Sequence, residues 1–143
     1  MNTNDEKTIE LKRVIMVKAI VTPDFKFNLV KELEKSVNNL NLQIETIDKQ
    51  SESYIKMLSD SGRIDEISVL KHKLAEEKSR IMISKNELHD KINEAKNLQL
   101  GTEFIQGPLE GPVNVKVGDN LYAKVGAAEI IVKDGIIIDI KEL

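Results

Sequence analysis

Cysteine is missing from this sequence, as is tryptophan, and aromatic residues make up only 3% of it. The first absence excludes disulfide frameworks and thiolate metal sites. The scarcity of aromatics leaves few large side chains to fill a broad core or line an aromatic ligand pocket. Long apolar runs are missing too, since none approaches the roughly 18 residues needed to span a bilayer. Nor is there a basic segment, since each is near neutral or acidic. Residues 1–22 carry 4 basic and 3 acidic groups, 23–60 carry 5 and 7, 64–100 carry 7 and 7, and 101–143 carry 4 and 7. Phosphate binding draws on Lys and Arg gathered on one face, so nucleic acid is a disfavoured direct partner. The opening run Met1-Asn2-Thr3-Asn4-Asp5-Glu6-Lys7 lacks the basic start and apolar stretch of a secretory signal. The expectation is a cytoplasmic protein without membrane association, whose residues 1–7 form a disordered tail.

What the chain does have is a heptad stripe from Pro23 to about Leu100, interrupted only at Ser59-Asp60-Ser61-Gly62-Arg63. Thr22-Pro23-Asp24 opens it with a hydroxyl cap, a proline at the first helical position and an acid in the first turn, each suited to its place. With Val30 at a, the a positions are Val30, Val37, Ile44, Ser51 and Leu58, and the d positions are Leu33, Leu40, Ile47 and Tyr54. Only Ser51 among these is polar, a strong coiled-coil signal. The second helix keeps an a stripe of Ile67, Leu74, Ile81, Leu88 and Ala95, but its d stripe reads Leu70, Glu77, Ser84, Lys91 and Leu98. A half-polar seam suits an antiparallel hairpin in which long charged side chains lean past the interface, and Gly62 supplies the break.

Apolar residues outside both stripes suggest a surface. Leu42 falls at an outward position of the first helix, while Met82 and Ile83 lie off the seam of the second. If the chain turns near Ser61, the three sit at one height. They are either a contact band for another protomer or a partner helix, or scattered surface residues of the ordinary kind. At the tip, Asp60, Arg63, Asp65 and Glu66 are candidate contacts. Carboxylates there have the hardness that Mg²⁺ requires, but capping and the helix dipole favour acids at the same positions. We therefore assign no metal site.

No catalytic or cofactor-binding residue emerges. His72 and His89 lie 17 positions apart on one helix, at neither i+3 nor i+4, and no cysteine or third histidine accompanies them. Ser79 and Ser84 have no histidine at a nucleophile's spacing. The glycines of Gly107-Pro108, Gly111-Pro112 and Gly118-Asp119 are too dispersed for a phosphate loop and read as turns.

The flanking segments read as strands. Ile9 to Ile20 includes Val14-Ile15-Met16-Val17, apolar on both faces and so suited to a central strand. Glu103 to Gln106 and the alternating Val113, Val115 and Val117 predict two more. Ile130-Ile131-Val132-Lys133, Asp134-Gly135 and Ile136-Ile137-Ile138-Asp139-Ile140 predict a hairpin with a two-residue turn. The fold class is therefore α+β: a long antiparallel helical hairpin, 22–100 with its tip near 59–63, inserted into a small β-sheet or partly open β-barrel made by 8–21 and 101–143.

Across nearly the whole chain the order of strand, Thr22-Pro23-Asp24 start, charged hairpin, Leu100-Gly101-Thr102-Glu103, Gly111-Pro112-Val113-Asn114-Val115-Lys116-Val117-Gly118-Asp119 and Ile131-Val132-Lys133-Asp134-Gly135-Ile136-Ile137 resembles the YlqD family of short bacterial proteins. Its specific part is the C-terminal third. Members often carry a tryptophan soon after the Val-Gly-Asp turn, where this chain has Asn120-Leu121-Tyr122. The resemblance implies no enzymatic activity and no catalytic residues, and a gene neighbourhood associated with ribosome and tRNA maturation. The function expected is a non-enzymatic interaction module, with the β body presenting the hairpin arm to an unidentified protein partner or to another protomer in a homo-oligomer. Two alternatives stand beside it: a ribosome- or RNA-associated accessory factor, and a holdase chaperone resembling prefoldin, although prefoldin places its strands between its helices.

Overall fold

A computed structural model describes residues 7–142; residues 1–6 of the expected tail lie outside them. The chain divides into two compact units, one comprising the residues up to Lys26 and from Leu98 onward, the other Phe27–Asn97.

The first unit is built on a four-stranded sheet. Strand β1, Thr8–Ile20, lies between two neighbouring strands, as its apolar run suggested. It pairs antiparallel with β2, Glu103–Lys116, and parallel with β3, Ala128–Lys133. Strand β4, Ile136–Glu142, then pairs antiparallel with β3, giving the order β2-β1-β3-β4. The sheet is open, with β2 and β4 as its edges, so the barrel alternative is not realised.

Two expected strands are one. Gly107-Pro108 and Gly111-Pro112 lie inside β2 rather than in turns, opposite Val17, Met16, Arg13 and Lys12 of β1. An edge strand tolerates this because a proline's missing N–H costs nothing where no neighbour needs it. The register shifts once, at Val17/Lys18. The Asp134-Gly135 turn follows its sequence signal, with φ of 49° and 82°. Positive φ at both central residues is the primed geometry that matches strand twist.

Residues 121–125 supply an element that composition did not signal, the short helix α3, Leu121–Val125, which joins β2 to β3. Its cap was present in the sequence, since the Asn120 side chain accepts a hydrogen bond from the Ala123 N–H at 3.1 Å. Gly126 ends it in tight quarters: a Cβ there would lie 2.4 Å from the Tyr122 carbonyl oxygen.

Helix α1, Pro23–Asp60, begins in the sheet unit and continues into the second. Thr22 caps it, its Oγ1 accepting from the Phe25 N–H at 3.0 Å. Within the second unit α1 and helix α2, Ile64–Lys96, form the hairpin. The tip closes as a Schellman motif, with Arg63 N–H donating to the Leu58 carbonyl at 2.9 Å and Gly62 N–H to that of Ser59 at 3.1 Å. Gly62, at φ 74°, takes the left-handed position this motif requires.

The hairpin seam departs from strict heptads. Tyr54 is exposed and Ile55 is turned inward instead. In α2, Lys78, Lys85 and Ile92 take the inward places expected of Glu77, Ser84 and Lys91. The a positions keep their seven-residue spacing, and the second inward place falls four residues after them instead of three, because a packed helix covers a stripe about 100° wide that takes in e as well as a and d. Lys78 is thereby brought onto Asp48 as an ion pair.

Candidate interaction surfaces

Side chains on alternate residues of a strand share a face, and the register therefore assigns every strand residue. Val17 pairs with Ile130 and Ile130 with Ile140, so Arg13, Ile15, Val17, Ile130 and Ile140 lie on one face. Leu109, opposite Ile15, joins them. Of these, Arg13, Ile15, Leu109, Ile130 and Ile140 line, with Val113 and Ala128, a trough of about 580 Å³. Its walls are apolar, and its one cation is already engaged: Arg13 Nε donates to the Gly126 carbonyl at 3.1 Å, and its Nη2 lies 3.5 Å from Glu142 Oε1. This arrangement suits contact with an apolar side chain better than coordination of a charged ligand.

The opposite face carries a ladder of charge. Lys18 Nζ lies 3.0 Å from Glu129 Oε1 and 3.9 Å from Glu103 Oε2, joining β1 to both of its neighbours. The hydrogen bond to Glu129, helped by the two carboxylate charges and opposed by partial desolvation, raises the Lys18 pKa above its ordinary value. Lys141 of β4 stands opposite Glu129 in the register, so signs alternate from β2 to β4.

Burial is sparse. Among the described residues eight apolar residues are buried, Ala19, Val21, Ala128 and Ile131 of them in the sheet unit, against twenty large apolar residues that are exposed. The densest exposed group is β4, where Ile136, Ile137, Ile138 and Ile140 are each more than half exposed. An unbroken Ile-Ile-Ile run has no polar alternation to reveal which face is covered, so the sequence could predict this strand without predicting its exposure.

In the hairpin, Leu42, Met82 and Ile83 are 58%, 46% and 57% exposed. Leu42 borders a shallow groove with Asn39, Gln43, Thr46, Ile47 and Glu77. Met82 and Ile83 line neither this groove nor the neighbouring one at Leu40 and Leu88. At the tip Asp65 and Glu66 occupy the first turn of α2, but the residue at its N-cap is Arg63, with no side-chain cap bond. The acids there complement the helix dipole, as expected, whereas a Ser or Asp cap is not formed. Arg63 instead reaches Glu66 at 3.8 Å, both side chains well exposed. Asp60 ends α1. His72 contacts Glu76 at 3.2 Å on the exposed side of α2. Among the described residues no three His, Asp or Glu side chains gather closely enough to hold a metal ion, and no helix is long and apolar enough to cross a membrane. Tyr122 is 81% exposed on α3.

A mixed four-stranded sheet whose first two strands are separated in sequence by a two-helix hairpin defines an α+β protein of hairpin-and-sheet type. The chain belongs to the YlqD family, whose pattern it matches over residues 9–141. A crystal structure of a protein of unknown function from Synechococcus sp. WH 8102 is similar over 96% of this chain and 97% of its own, at 26% identity and a TM-score of 0.79. No curated protein matches.

Proposed function

We propose that the chain is a non-enzymatic protein-interaction module, in which exposed apolar surface on the sheet and on the helical hairpin receives a protein partner or a second copy. The observation that carries this reading is the excess of exposed over buried large apolar residues, densest on β4, whose Ile140 borders the trough together with the exposed Leu109. Single surface apolar residues are ordinary, but contiguous patches rimmed by charge mark contact sites. The trough has both properties, with Arg13, Glu110 and Glu142 at its rim. A protein partner fits better than nucleic acid, since net charge is −3 and no segment is strongly basic.

The test is comparative affinity capture from cells. The baits are the wild-type chain, a trough variant Leu109→Asp/Ile140→Asp and a hairpin variant Leu42→Glu/Ile83→Glu, each verified as folded by circular dichroism. The wild type is expected to retain proteins that at least one variant loses. Identical recovery by all three baits would remove both surfaces as recognition elements and with them this reading.

A further inference from the structure

The two edges of the sheet are not equivalent. Edge strand β2 contains Pro108 and Pro112 and a register irregularity opposite Val17/Lys18, devices that blunt an edge against further pairing. Strand β4 has no proline, all seven of its residues are exposed, and it offers four isoleucines. It is regular against β3 from Asp139 to Glu142 and shifts register only between the partners of Ile131 and Val132, at Ile138.

The geometry points to β4 as a self-pairing edge: two copies of the chain join antiparallel through β4, about a two-fold axis at Ile140, so that two four-stranded sheets become one of eight. This deepens the interaction reading above and rests on it. The irregularity at Ile138 confines regular pairing to the end of the strand, where the axis can pass through Asp139, Ile140 or Lys141. An axis at Asp139 sets carboxylate against carboxylate, and one at Lys141 sets ammonium against ammonium. Like charges directly opposite destabilise a strand pair. An axis at Ile140 sets Asp139 of each copy against Lys141 of the other, twice over, because an isologous contact repeats every pair.

Both faces agree with that register. A two-fold perpendicular to the sheet keeps each face on its own side. On the charged face the alternation Glu103, Lys18, Glu129, Lys141 continues into Asp139 of the second copy. On the other face Ile140 meets Ile140, and the apolar troughs of the two copies run together. Asp139, Ile140 and Lys141 are all exposed in the single chain, and the central pairs are complementary in charge or apolar on apolar, whereas Ile138 falls opposite Glu142 at the margin, beside the irregularity.

The experiment is a charge swap read by sedimentation equilibrium on the full chain, with far-ultraviolet circular dichroism confirming that each variant is folded. The wild type is expected at twice the 16.1 kDa chain mass. Asp139→Lys and Lys141→Asp should each raise the dimer Kd by on the order of tenfold or more, because two attractive pairs become repulsive. The double variant Asp139→Lys/Lys141→Asp should return the Kd to near the wild-type value, while Leu42→Glu/Ile83→Glu should leave it unchanged. A monomeric wild type, single reversals without effect, or a double variant that fails to recover would each overturn the self-pairing of β4. So would loss of the dimer on changing Leu42 and Ile83. A monomer that still retains other proteins in the capture experiment overturns this inference alone and leaves the interaction reading standing.

Discussion

Thr22 does the work of two residues. Its Oγ1 accepts from the Phe25 N–H to cap α1 and donates to Asp134 Oδ1 at 2.6 Å, tying the helix start to the β3–β4 turn 112 positions away. It is almost fully buried, so losing the hydroxyl leaves the Phe25 N–H without its cap and Asp134 without its tie to the helix start. Thr22→Ala is expected to destabilise by about 1 to 2 kcal/mol in urea unfolding, while Thr22→Ser retains most of the stability. Equal losses in the two variants would show that the methyl group matters and the hydroxyl does not. Lys18 carries a different expectation. Its pKa is raised in the folded chain by Glu129, so the charged form is favoured by folding. That contribution is complete below the ordinary lysine value of 10.5 and disappears as pH rises through the higher folded value. Wild type should therefore be more stable than Glu129→Gln at pH 8, and the gap should narrow above about pH 10.5. A gap that is constant across this range would contradict the assignment.

At the level of the hairpin, apolar burial outweighs charge. Leu58 is 1% exposed at the base of the tip turn, and its carbonyl also accepts the Arg63 N–H that closes the Schellman motif. Leu58→Ala is expected to cost about 2 to 5 kcal/mol. The Asp48–Lys78 pair is roughly 40% exposed on both sides, and a pair so wetted contributes under ~1 kcal/mol. Asp48→Ala should thus shift the unfolding midpoint little, and a larger loss than that of Leu58→Ala would reverse this ranking. The same element shows what was legible in the sequence. Apolar spacing located both helices, with α1 ending at Asp60 as expected and α2 ending at Lys96, four residues before the expected Leu100. Strict a and d places, however, misassigned Tyr54, Glu77, Ser84 and Lys91, because the buried stripe of a packed helix is wide enough to include the e place and the structure uses e there. In the sheet, β1 as a central strand and the Asp134-Gly135 turn were readable from local chemistry. Continuity of β2 through two Gly-Pro pairs was not, since whether proline breaks a strand depends on which edge is unpaired, a property of topology.

For the whole molecule, the sequence supports an α+β class and the placement of Leu42, Met82 and Ile83 on an exposed surface. It could not reveal the trough, because Ile15, Leu109, Ile130 and Ile140 meet only through the strand order β2-β1-β3-β4. That order has a consequence for biosynthesis. Ile20 pairs with Glu103 and Ile15 with Ala128, so β1 is made first yet has no partner until the chain has grown by more than 80 residues. At roughly 5 to 20 residues per second, the nascent β1 waits on the order of 4 to 17 seconds as a bare, apolar strand. The hairpin, whose contacts are local, can close within that interval. The order of events during translation is thus helices before sheet, and β1 stands unpaired while the chain is still attached to the ribosome.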